Sequence, residues 1–216
     1  MKSRKILLNS CLWALFAVPL HQVDKWQILK YSSIKPNVVN FSKQGMKINV
    51  EESASPIILP FKNYKKVVGV EVSGELNGQL HFAKGVKQGS KGGDDFALRI
   101  GLVQRGSKTL GIFKRMVVAA WIKKLFDLAP EGSGIDRIEF LNAVAQTQIL
   151  GKKRRHPLSD LLYENNVWLL DKPGKFAFKH QFKKVRDVVA LWLSIDGDGT
   201  KSDYSILLQN LELQIH

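Results

Sequence analysis

Beyond residue 25 the chain is a succession of short apolar stretches separated by turn residues, and this pattern constrains the fold more than any other feature. Met46, Ile48 and Val50 alternate with Lys47 and Asn49, the period-two signature of a half-buried strand. Similar stretches lie at 26–31, 38–41, 56–61, 67–72, 80–83, 96–103, 135–144, 167–170, 175–180, 188–195 and 205–215, with turn signals such as Ser73-Gly74 and Asn77-Gly78 between them. Only 115–128 has helical spacing: Ala119, Ile122, Leu125, Phe126 and Ala129 share a side, and Lys123, Lys124 and Asp127 fall opposite. Pro130 and the Gly132-Ser133-Gly134 turn end it. Core packing is the first reading of that helix, and a membrane-lying helix is the minor one. Strands do not alternate with helices, which excludes a parallel α/β sheet. The expectation is a mainly β chain: a jelly-roll-like antiparallel β-sandwich with one amphipathic helix inserted, forming a single domain over 23–216.

The start of the chain points to export. Residues 1–5 read MKSRK, an apolar run follows to Leu20, and the first acid is Asp24. A basic head followed by a short apolar run is the layout of a secretory signal, expected here over 1–22. The run is shorter than the ~20 apolar residues of a spanning helix. The mature chain is therefore expected to lack a transmembrane segment and to be periplasmic or secreted. The one cysteine, Cys11, falls inside the apolar run. A mature chain without it has no disulfide, zinc–thiolate site, iron–sulfur cluster or cysteine nucleophile. The formal net charge of +14 suggests anionic surroundings such as an acidic polysaccharide or lipid headgroups. Nucleic acid is not expected, because export argues against it and no nucleic-acid module motif is present.

Three stretches carry a family resemblance: Gly93-Asp94-Asp95-Phe96-Ala97-Leu98-Arg99-Ile100; Ala190-Leu191-Trp192-Leu193-Ser194-Ile195-Asp196-Gly197-Asp198-Gly199-Thr200; and the closing strand at 205–215. Together they resemble secreted bacterial envelope proteins with a jelly-roll, carbohydrate-binding-module-like (galactose-binding-like) fold. There a Trp-bearing strand runs into an Asp-containing loop and then into the last strand. The helix near 115–128 departs from a minimal jelly roll. The resemblance implies a fold and a secreted setting but no chemistry, since this fold hosts binding modules, enzymes and structural domains alike.

Candidate binding residues come from charge and aromatics. Lys152, Lys153, Arg154 and Arg155 form the densest basic run, followed by His156 and flanked by Tyr163 and Trp168. Guanidinium and ammonium groups suit sulfate, phosphate or carboxylate, and an exposed aromatic face suits a sugar ring. Asp196, Asp198 and Thr200 place oxygens at alternate positions, as a calcium loop begins. An EF-hand would need Gly at the sixth position and Glu at the twelfth, where Lys201 and Leu207 stand. Calcium is thus a minor expectation and no other cofactor is implied. Asp94 and Asp95 are adjacent and would point to opposite faces of a strand. His156, Asp160 and Glu164 would share a face only if that stretch were helical. No HExxH, GxSxG, Walker or dinucleotide motif is present, and no catalytic residue is assigned. The leading expectation is a non-catalytic module that binds a glycan or another anionic envelope component. A polysaccharide-active hydrolase or lyase, and an envelope-assembly subunit acting through a protein partner, are the alternatives.

Overall fold

The computed structural model describes residues 13–157 and 159–216. Cys11 and the basic head lie outside the described residues. Among the described residues eleven strands form one continuous sheet: β1 (Ala14–Ala17), β2 (Gln27–Ile28), β3 (Val38–Ser42), β4 (Gly45–Glu51), β5 (Ala54–Gly78), β6 (Leu98–Gly106), β7 (Gly134–Val144), β8 (Lys153–Arg155), β9 (Leu162–Leu169), β10 (Gly174–Asp196) and β11 (Asp203–Ile215). The order is β3-β4-β11-β5-β10-β6-β7-β9-β8, with β1 on β11 and β2 on β5.

Two strands are far longer than the sequence pattern suggests. β5 joins the stretches expected at 56–61 and 67–72, and β10 joins those at 175–180 and 188–195. The lysine-rich intervals read as loops are the exposed middles of these strands, where the backbone ladder continues through Arg186↔Val67, Asp187↔Lys66 and Val188↔Lys65. Register shifts at Gln181/Arg186 and Val188/Ala190 mark the middle of β10. Such irregularities bend strands. The sheet folds over there and closes a sandwich, with β3, β4, β11 and the far half of β5 in one layer. The near half of β5, the far half of β10, β6, β7, β9 and β8 form the other.

Side-chain parity then sets three layers. Leu191, Leu193 and Ile195 face the sandwich core with Ile100, Leu102, Leu141, Ile206 and Leu208. Their neighbours Ala190 and Trp192 face outward and pack with Ile138, Phe140 and Leu125 in a second core. The second layer is thus apolar on both faces, and a helix covers its outside. Gly101 makes this closeness feasible: a Cβ there would sit 2.7 Å from Ile138 Cγ2 and Phe140 Cε1 and 2.8 Å from Trp192 O.

The helical segment differs from the expectation of one helix over 115–128. It is split into α1 (Ile112–Val117) and α2 (Ala120–Asp127), because Val118 and Ala119 are extended, with ψ of 156° and 149°. α2 supplies the outer cover: Leu125 is buried, and Trp121 meets Trp192 edge-on at 6.4 Å. α1 covers nothing. The expected all-antiparallel pairing also has an exception, since β7 and β9 run parallel. The stretch at 80–83, expected as a strand, is coil.

Residues 14–20, assigned to a leader by their composition, occupy a place in the sandwich. β1 pairs with β11 through Ala14↔Ile215 to Ala17↔Glu212. Val18 and Leu20 are buried, and Trp26 Nε1 donates to Pro19 O at 3.0 Å. Deleting residues 1–22 should cost about 3 kcal/mol or more from Val18 and Leu20 alone. A urea-unfolding midpoint unchanged by the deletion would show that this stretch contributes nothing. Gly101→Ala should destabilise by about 1–3 kcal/mol in the same assay, because the added methyl overpacks.

Candidate functional site

The parity that puts Trp192 beneath α2 also puts Ser194 and Asp196 on the outer face, beyond the helix's cover. Arg99 lies beside them, its strand neighbours Leu98 and Ile100 facing the inner core. Burying a guanidinium is costly unless acids surround it. Its Nη1 donates to Glu164 Oε1 at 3.3 Å, its Nη2 lies 3.1 Å from Asp196 Oδ2 and also donates to the Asp94 carbonyl, and its plane lies 4.2 Å from the Phe96 ring centroid. Nε has no hydrogen-bond acceptor among the described residues.

A second arginine extends the network. Arg154 Nε donates to Glu164 Oε2, its Nη1 to Gly89 O, and its Nη2 to Asp94 Oδ1 at 2.8 Å. His156 Nε2 lies 2.9 Å from Asp94 Oδ2. Asp95 turns the other way and caps the 196–202 loop, accepting from the Thr200 amide at 2.6 Å and the Thr200 hydroxyl at 2.7 Å. The two adjacent aspartates thus serve separate partners.

Of these groups, Arg154 and Glu164 line a neighbouring hollow, whereas Asp94, Asp95, Arg99, His156 and Asp196 line a cleft of about 610 Å³. Its walls are Tyr31, Trp121, Ile122 and Trp192, and its polar floor includes Asp94, Arg99, His156, Asp196 and Asp198. Burial alone would raise Asp94, but the His156 hydrogen bond and the charges of Arg99 and Arg154 hold it below its ordinary value. Asp196 goes the other way. Its burial, with Asp95 and Asp198 nearby, outweighs Arg99 and Ser194 and pushes it up to about 6. Asp198 is raised by burial and by Asp95. The floor therefore offers carboxylates fixed in place by arginines, next to an acid that holds its proton into the mildly acidic range.

The residues expected from sequence to bind ligand are divided. Arg154 and His156 reach the cleft network, but the Arg154 guanidinium is engaged by Asp94 and Glu164, and His156 Nε2 is bonded to Asp94. Lys152 is exposed. Lys153, Arg155 and Tyr163 line the neighbouring hollow, of about 520 Å³, with Arg137, Lys184 and Arg186. Tyr163 offers no open ring there, since the guanidiniums of Arg137 and Arg155 lie 4.4 and 5.5 Å from its centroid. Trp168, expected as a stacking platform, is buried, stacked on Phe178 at 5.3 Å and bonded through Nε1 to Lys179 O. Of the three residues expected at a calcium loop, Asp196 is bonded by Arg99 and Ser194, Thr200 by Asp95, and Asp198 lines the cleft. The expected helical face of His156, Asp160 and Glu164 does not form, because β9 begins at Leu162 and Asp160 pairs with Arg155 on the surface. Asp94, His156 and Glu164 do place ligand atoms within 4.8 Å of one another. Two guanidiniums already hold Glu164, and Arg154 also holds Asp94, so these two carboxylates are the acid side of an ion-pair network.

No family model matches this chain, and no curated protein matches it. Among solved structures it is similar to a xylan-binding module, CBM15, at 7% identity and a TM-score of 0.39, covering 94% of this chain and 97% of that one. It is also similar to the metal-free carbohydrate recognition domain of Emp46p, at 7% identity and a TM-score of 0.35, with 90% of each chain covered. At these values neither alignment transfers a ligand or a residue.

Sequence reasoning missed Arg99, Glu164, Tyr31 and Trp121 as site residues. A signal for the first was present: Arg99 is a lone cation in the apolar run 96–103, and a buried guanidinium requires acids near it.

The raised Asp196 predicts a pH dependence with a defined sign. The folded protein holds this proton where the unfolded chain, near the ordinary 3.8, has lost it. The stability from this group is therefore full below 3.8 and is lost as pH rises through about 6. Urea unfolding of wild type and Asp196→Asn should show wild type gaining on the variant as pH falls across that window. Parallel curves would exclude the shift. Arg99→Met, which strands Asp196 and Glu164 without their shared cation, should cost about 3–5 kcal/mol.

Proposed function

We propose that this protein is a non-catalytic glycan-binding β-sandwich whose site is the cleft beside α2. The observation that carries this is one cleft lined by both aromatics, Tyr31 and Trp121, and carboxylates anchored by arginines, Asp94 and Asp196. Aromatic faces receive the apolar C–H face of a sugar ring, and a carboxylate accepts hydrogen bonds from neighbouring hydroxyls. Carboxylates already oriented by arginine lose little freedom on binding. Five carboxylates (Asp94, Asp95, Glu164, Asp196, Asp198) stand against two guanidiniums in and under the cleft. That balance favours a neutral glycan and disfavours an acidic one.

We place this activity outside the cytoplasm, supported by the basic head and apolar run of residues 1–20. N-terminal sequencing of the exported chain tests it. A start before Ala14 keeps β1 with the sandwich, and a start at residue 23 detaches it.

A second reading, acid-catalysed glycan cleavage, is favoured by one observation: Asp196 and Asp198 are both raised and both line the cleft. A general acid needs a pKa near its working pH.

The two readings separate in one experiment. The protein is titrated with neutral polysaccharides (xylan, β-glucan, mannan) and acidic ones, with retention and released reducing ends both followed. The expected result is retention of a neutral glycan without release. Trp121→Ala and Asp198→Ala should each weaken it at least about tenfold, or roughly 1.4 kcal/mol. Release abolished by Asp198→Asn would establish the hydrolytic reading instead. Retention of acidic polymers alone, lost on changing Lys152, Lys153 and Arg155 to Ala, would overturn the cleft as the site and move it to the basic hollow.

A further inference from the structure

α1 is amphipathic in the wrong sense for a helix that serves a core. At 100° per residue, Ile112, Phe113, Met116 and Val117 fall within a 140° arc, and Lys114 and Arg115 lie outside it. These four apolar side chains are between 74% and 86% exposed. A helix of a globular protein ordinarily turns such an arc inward, and an exposed apolar patch rimmed by polar groups marks an interaction site. α1 is also set apart from the body: the extended Val118 and Ala119 separate it from α2, and none of its six residues is buried.

The surrounding charge selects the partner. From Ser107 to Phe126 the chain carries Lys108, Arg115, Lys114, Lys123 and Lys124 and not one acid. Lys108 and Arg115 are drawn to Asp136 and Asp127 at 3.4 and 2.7 Å. Lys114, Lys123 and Lys124 lie beside the apolar arc in sequence and carry charge for a partner. An apolar arc without a polar atom, bordered by lysines, suits an interface that is hydrocarbon a few ångströms below a layer of phosphates. Among the described residues no helix is long and apolar enough to cross a membrane, so the contact is with the surface.

We propose that α1 is a membrane-surface anchor, which seats its apolar arc in the outer part of an anionic bilayer while Lys114, Lys123 and Lys124 meet lipid phosphates. This reading is independent of the glycan cleft.

The test reads α1 itself, so that the apolar start of the chain cannot imitate the result. The full chain carrying Cys11→Ser and Phe113→Cys is labelled at the new thiol with an environment-sensitive fluorophore. A matched protein carries the label through Lys175→Cys, an exposed site on β10. Both are mixed with phosphatidylcholine vesicles with and without phosphatidylglycerol, at low and high salt. The expected result is a blue shift at position 113 with anionic vesicles, diminished by salt and absent at position 175. In the unlabelled full chain, Ile112→Ser with Val117→Ser should lower vesicle partitioning at least about tenfold. Their urea midpoint should stay that of the wild type, because α1 buries nothing. No shift at position 113 with any vesicle would overturn the proposal. So would a shift that needs no vesicles and grows with protein concentration, which would assign the arc to a second copy of the chain.

Discussion

The ladder between β5 and β10 runs from Ala54↔Asp196 to Leu76↔Gly174 and belongs to both layers of the sandwich. A sheet of this many strands curls or splits into packed layers. Here it folds across the exposed middles of its two longest strands, where the ladder is broken on either side of the pairs Arg186↔Val67, Asp187↔Lys66 and Val188↔Lys65. Everything else is registered against that ladder. β11 takes the free edge of β5 in one layer, and β6 takes the free edge of β10 in the other. The bend also fixes which side chains face out. The outer surface of the second layer carries apolar residues under α2 and polar residues past its end, and the cleft is the boundary between them.

Within that frame Arg99 sets the character of the cleft. Its side chain is buried on a strand whose neighbouring residues are core, so it draws Glu164 from β9, Asp196 from the end of β10 and the Asp94 carbonyl into one network. Replacing a buried ion pair by apolar residues is often neutral or stabilising, so the network is weak evidence for stability. Its consequence is orientation: Asp94 and Asp196, which line the cleft, are fixed in place by arginines.

The mainly β class and the sandwich were legible because alternation is local. Met46 to Val50 shows it without any knowledge of partners. The continuity of β5 and β10 was not, because the run Lys62 to Lys66 carries the polar signature of a loop, and only Lys65 and Lys66 of it pair with β10. Pro157 and the spacing of His156, Asp160 and Glu164 suggested a helical turn; turns follow His156, but β9 begins at Leu162 in parallel with β7, so Glu164 belongs to a strand. The ligand residues fared similarly. Arg154 and His156 are in the network, but Trp168 lies between layers that no sequence window could place. Tyr31 and Trp121 reach the cleft from elements distant in the chain. The single helix at 115–128 was read as one stripe because Ala119 and Ile122 continue it, and half of the exposed arc, Ile112 and Phe113, lay before its first residue.

β11 sits between β4 and β5, and its far end also holds β1. The partners at 14–17, 45–51 and 67–78 are synthesised early, whereas the strand that joins them is made from residues 203–215. The first half of the chain therefore cannot complete a layer while the rest is being made, and its apolar strand faces stay open throughout translation. The layer that joins β4 to β5 closes only once residues 203–215 are available. Until then the chain depends on whatever shields unpaired strand edges from one another, and a passage across a membrane in the unfolded state would come before its structure rather than after it.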